Sequence, residues 1–99
     1  MKLVSIVKST DKKHKYVATF ENPETGRTKT TRFGAVGYKD YTTFSPTERN
    51  QHRKNYRQRH SNDNLHDPTS AGALSWYILW GANTSVRENI ASYKRHFHL

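Results

Sequence analysis

Asp67-Pro68-Thr69-Ser70-Ala71-Gly72-Ala73-Leu74-Ser75-Trp76-Tyr77-Ile78-Leu79-Trp80-Gly81 is the only stretch of this sequence with enough apolar surface to hold a core. Asp67-Pro68 ends whatever precedes it, and Thr69 or Ser70 can cap the free N–H groups of a first helical turn. Gly81 stands where a left-handed C-terminal cap belongs. The pattern predicts a helix over residues 71–80. Ala71, Leu74, Tyr77 and Ile78 follow the three-to-four residue period, and Trp76, Leu79 and Trp80 widen the apolar stripe until little of the circumference is polar. Such a helix has to be covered, so it is expected at the buried centre of the fold, with the small residues Ala71, Gly72 and Ala73 letting another backbone come close.

Working outward, the composition limits what can surround it. The chain has 99 residues, of which 32% are hydrophobic, with a mean hydropathy of −1.04. One domain over residues 1–99 with a small core is expected, and the 12% aromatic share argues against disorder. The absence of cysteine excludes disulfide and thiolate chemistry. The N-terminal run Leu3-Val4-Ser5-Ile6-Val7 is too short for a signal peptide, and no membrane span is expected. Seventeen Lys and Arg against eight Asp and Glu give a net charge of +9. That excess favours an anionic partner: nucleic acid, an acidic protein face or an acidic membrane surface.

Before the central stretch, residues 3–7, 15–21 and 28–33 read as strands. In the second, Tyr16, Ala18 and Phe20 point one way and Val17 and Thr19 the other. Asn22-Pro23-Glu24-Thr25-Gly26 is a reverse turn with Gly26 at positive φ. Residues 33–42, with two glycines and two tyrosines, form a loop that turns the chain from sheet to helix. Ser45-Pro46-Thr47-Glu48 then reads as a helix start, with Ser45 as N-cap, Pro46 in the first position and Glu48 completing a capping box, and the helix is expected to run to about His60. It carries Arg49, Arg53, Lys54, Arg57 and Arg59 with His52 and His60, and no acid offsets them from Arg49 onward. Arg49, Arg53 and Arg57 repel one another along one face, so an anionic group is expected beside them. After Gly81, Ser85-Val86-Arg87-Glu88 repeats the capping-box pattern, and Val86, Ile90, Tyr93 and Phe97 make an amphipathic face for packing on the central helix. The expected class is α+β: a three-stranded antiparallel meander followed by three helices, the middle one buried.

Four stretches, Phe33-Gly34-Ala35-Val36-Gly37-Tyr38-Lys39-Asp40-Tyr41-Thr42, Tyr56 with Arg59-His60, the central segment from Asp67 to Trp80, and Tyr93-Lys94-Arg95-His96-Phe97, together resemble a family of short basic proteins encoded by large double-stranded DNA viruses of algae and protists. The resemblance spans residues 16–99. It implies a viral setting and carries over no catalytic or binding residue.

The acids Asp40, Glu48, Asp63 and Asp67 are too scattered to hold catalytic metal ions, and no spacing singles out an Arg/His/Tyr centre from Tyr38, Tyr56, Arg57 and His60, so no enzymatic activity is expected. His60, Asp63, His66, His96 and His98 lack a recognised ligand spacing, and neither metal nor cofactor is expected. The leading expectation is a structural interaction protein, a minor virion component docked on an acidic surface such as a capsid protein. Arg49, Arg53, Lys54, Arg57 and Arg59 would pair with carboxylates, and Tyr38, Tyr41 and Tyr56 would be anchors. The alternative is non-specific DNA binding or genome packaging through the same residues. Either role places the protein in the virion, and in the host cytoplasm or nucleus during assembly.

Overall fold

A computed structural model describes residues 1–99. Three strands, β1 (Lys2–Lys8), β2 (His14–Glu21) and β3 (Thr28–Ala35), form an antiparallel sheet in the order β1-β2-β3. The first turn is held by Asp11, whose Oδ1 accepts from the N–H groups of Lys13 and His14 at 3.0 and 2.7 Å. In the second, Gly26 has φ +72° and its N–H donates to the Asn22 carbonyl at 2.8 Å. The alternation predicted for β2 is present: Ala18 and Phe20 are fully buried, while Val17 and Thr19 are only partly covered. Across the sheet Tyr16 pairs with Phe33, and the two rings stack at 5.8 Å. β3 runs two residues further than the sequence suggests, to Ala35, because Val36 N–H still finds the Lys13 carbonyl at 3.0 Å.

Helix α1 covers Arg49–His60. Its start corrects the capping-box expectation. Ser45 Oγ meets the Glu48 carboxylate at 3.1 Å instead of a backbone N–H, residues 46–48 form a turn, and Glu48 occupies the N-cap position with no side-chain cap. Pro46 therefore lies before the helix.

The central helix begins as α2 (Ala71–Leu74), where Ser70 is the cap and its Oγ accepts from Ala73 N–H at 3.1 Å. It continues as a π-helical segment, Ser75–Leu79, ending in a Trp80 N–H to Ser75 carbonyl bond at 3.0 Å. The period argument misses that widening, since side-chain pattern does not report which carbonyl each N–H chooses. Leu74, Ile78, Leu79 and Trp80 are buried in one cluster with Ala18, Phe20 and Phe33 of the sheet, Tyr56 of α1 and Tyr93 of α3 (Val86–Phe97). Burial of each large side chain contributes roughly 1.5–3 kcal/mol. Only 14 of 99 residues are buried, so the core is as thin as the composition suggests.

Gly81 is not a left-handed cap: the positive-φ glycines are Gly26, Gly34 and Gly37. Gly81 is required for space, since a Cβ there would lie 2.2 Å from the Tyr77 carbonyl oxygen and 2.9 Å from the Asn89 side chain. Buried Asn89 fills that corner, donating to the carbonyls of Ile78 at 2.8 Å and Asn83 at 2.7 Å and accepting from Asn83 N–H at 3.0 Å. One turn along α3, beside the start of the central helix, Tyr93 is fully buried and its hydroxyl donates to the Pro68 carbonyl at 2.5 Å.

Candidate functional site

The anionic group that the basic helix calls for is partly inside the protein. A helix C-terminus carries unsatisfied carbonyls and the negative end of the dipole. Arg53 Nε donates to the carbonyls of Trp80 and Gly81 at 3.1 and 3.0 Å, and Arg57 Nη2 reaches Trp80 at 3.4 Å. The Arg57 guanidinium lies 4.3 Å over the Trp76 ring and that of Arg53 lies 5.4 Å from Tyr41. Burial, then the nearby Arg53 charge, pulls the Arg57 pKa below its ordinary value. Arg49 is half-buried, and its Nε, like that of Arg57, is enclosed without a hydrogen-bond partner in the protein. Tyr56 is 8% exposed, too covered for a docking anchor. It stacks on Trp80 at 4.5 Å and on His60 at 4.2 Å, and burial pushes its hydroxyl up to about 12. Tyr41 is half-buried, with its hydroxyl donating to Asn50 Oδ1 at 3.0 Å. Of the tyrosines, only Tyr38 stands free, 75% exposed on the loop after β3.

The remaining cations face water. Among all Lys and Arg, only Lys15 and Arg32 are in ion pairs with acids, to Asp40 at 2.6 Å and Asp11 at 3.2 Å. Lys54 and Arg59 are exposed on opposite flanks of α1. Between them, at helical spacing, run the amides Gln51, Asn55 and Gln58, with Gln51 Nε2 donating to Asn55 Oδ1 at 3.0 Å. One flank of this ridge is a groove lined by Asn50, Arg53, Lys54, Arg57, Gln58 and Ser61, without an apolar residue.

The other flank opens into a cleft of about 530 Å³ between α1, the loop after β3 and the central helix. Its inner wall is Tyr56, Leu79 and Trp80, and Phe44 stacked on His52 at 4.0 Å forms one side. Lys39, Arg59 and Tyr38 stand at the rim. Asp40, 2% exposed, lies at the sheet end, where its carboxylate accepts from Lys15 Nζ at 2.6 Å, from Thr42 N–H at 2.8 Å and from the Thr42 hydroxyl.

The histidines considered as ligands go separate ways: His60 Nδ1 lies 2.9 Å from Asp63 Oδ2, and His96 Nε2 lies 3.1 Å from the Tyr77 hydroxyl. Sequence reasoning names Asp40 only as a scattered acid and His52 only as part of the basic run, and it passes over Phe44 in the cleft and Asn89 behind the central helix. Asp40 alone left a trace, as an Asx turn in Asp40-Tyr41-Thr42. The pairing of Asp40 with Lys15 spans 25 positions, and nothing local announces it.

Fold and site together define a small α+β domain that presents a cation-flanked helix and an aromatic cleft. The chain belongs to a family of unknown function (DUF5754), whose model matches residues 4–60. That segment holds most of the sheet and all of α1; the central helix and α3 lie beyond it. No curated protein and no solved structure matches the chain. No helix is long and apolar enough to cross a membrane.

Proposed function

We propose that the protein is a non-enzymatic nucleic-acid-binding protein that tracks the phosphate backbone with α1. The observation carrying this reading is the outer face of that helix, a ridge of neutral amides, Gln51, Asn55 and Gln58, between cations at Lys54 on one flank and Arg59 on the other. Amides suit base edges, while lysine and arginine suit the phosphates alongside. A helix of 12 residues is about 18 Å long, enough to lie in a major groove. Within the viral setting that the resemblance implies, the role is genome binding or packaging in the virion.

A second reading, docking on an acidic capsid surface, is favoured by one feature: Val36 and Tyr38, 51% and 75% exposed, form an apolar tip beside Lys39. It is weakened by Arg53 and Arg57, since Arg53 Nε and Arg57 Nη2 are engaged by backbone carbonyls of the central helix, which leaves each guanidinium less free to fork onto a carboxylate. The test is duplex DNA affinity across a salt series. Binding should fall linearly in log–log form with salt, and Lys54→Gln should lower the slope by about 1. A folded protein with no affinity at low salt that stays with particles stripped of genome would favour the capsid role instead.

A further inference from the structure

The cleft beside α1 is not needed for tracking a backbone, and its lining has a chemistry of its own. We propose that it binds a nucleotide, taking a planar heteroaromatic ring against its aromatic wall and a phosphate at its cationic rim. Three observations converge on that ligand. The volume of about 530 Å³ lies within the range of small-molecule sites, roughly 300–1,000 Å³, and suits a mononucleotide better than a peptide segment. The lining is aromatic: two stacked pairs, Tyr56 with Trp80 and Phe44 with His52, inclined by only 6° and 5°, border the cleft, and Tyr38 stands exposed at its mouth.

The charge distribution is the third observation. The acid lining the cleft, Asp40, is neutralised by Lys15, and the nearby Asp63 is bound to His60. Lys39 and Arg59 have no acid partner, so the mouth carries net positive charge where a phosphate would sit. Base–aromatic stacking is worth roughly 1–3 kcal/mol, and arginine adds charge-assisted bonds to phosphate. Such a ligand arises either as a free nucleotide or as an unstacked base of a strand. The inference deepens the nucleic-acid reading and rests on it only for the second source.

The experiment is a titration of the full chain followed by tryptophan fluorescence, since Trp80 lines the cleft. The probes are adenosine 5′-monophosphate, ribose 5-phosphate and a short single-stranded oligonucleotide, each against wild type, Arg59→Gln, Tyr38→Ala and Arg87→Gln. Saturable quenching is expected that Arg59→Gln and Tyr38→Ala each weaken at least about fivefold and Arg87→Gln, exposed on α3 away from the cleft, leaves unchanged, with ribose 5-phosphate competing at least about fivefold more weakly than the mononucleotide. Quenching by the mononucleotide assigns a free nucleotide; quenching by the strand alone assigns a base within it. Quenching by neither, equal competition by ribose 5-phosphate, or indifference to Arg59→Gln overturns the proposal. If it is overturned while duplex DNA still binds with a dependence on Lys54, the cleft inference alone has failed; if duplex DNA does not bind either, the reading of α1 has failed with it.

Discussion

The inner and outer cations of α1 do opposite work. Arg53 and Arg57 turn inward and terminate the central helix, whereas Lys54 and Arg59, one and two positions on, turn outward and meet no acid. In the sequence they are one basic run. What separates them is 100° of helical rotation per residue and the position of a carbonyl cluster some twenty-five residues away. The lesson is that a cationic helix is not uniformly a docking surface: part of its charge here stabilises the fold, and only the rest is free for a partner.

The sharpest way to break that comparison is at the corner both helices share. Gly81→Ala would drive a Cβ onto the Tyr77 carbonyl at 2.2 Å, and backbone cannot yield as a side chain can. A loss of about 3 kcal/mol or more in chemical denaturation is expected. Next, Arg53→Met should cost about 1–3 kcal/mol, because the Trp80 and Gly81 carbonyls lose a charged donor in a partly buried place. Lys54→Gln and Arg59→Gln should each change stability by less than about 0.5 kcal/mol, while Lys54→Gln weakens duplex DNA binding and Arg59→Gln weakens nucleotide binding in the cleft. Equal stability losses in the inner and outer variants would dissolve the distinction.

The smallest effects are those of pH. Burial raises the hydroxyls of Tyr56, to about 12, and of Tyr93 above the ordinary 10.0, so both are neutral in the fold where the unfolded chain ionises. Their contribution is intact below pH 10 and is lost as pH rises from there through about 12, observable as loss of circular dichroism together with tyrosinate absorbance. On the acid side, hydrogen bonds from His14 and Lys13 to Asp11, and from Thr69 to Asp67, hold these carboxyls below their ordinary 3.8. Their contribution is present above that value and lost as pH falls below it, so acid unfolding should begin near pH 4 and shift upward in Asp67→Ala.

Much of this molecule is written locally. The strand alternation at Tyr16, Ala18 and Phe20, the turn at Gly26, the caps at Ser70 and Ser85 and the apolar face of α3 each depend on neighbours within one or two turns of chain. Those short-range terms carry the α+β class and the order of elements. The capping box at Ser45 failed because its hydroxyl had a competing partner in the Glu48 side chain. Gly81, which the pattern suggests as a left-handed cap, is instead a steric requirement, set by the approach of the Tyr77 carbonyl and the Asn89 side chain.

What the sequence alone determined, then, is the set of elements, the thin core and the excess of positive charge. Tertiary structure decided which cations are spent inside, that Tyr56 is core rather than anchor, and that Lys39, Arg59, Phe44 and Trp80 border one cleft. The physical reason is range. Periodicity and capping act over a few residues, but the partner of a buried guanidinium or carboxylate is whichever group the packed chain brings within about 3 Å, and that is set by contacts distant in sequence.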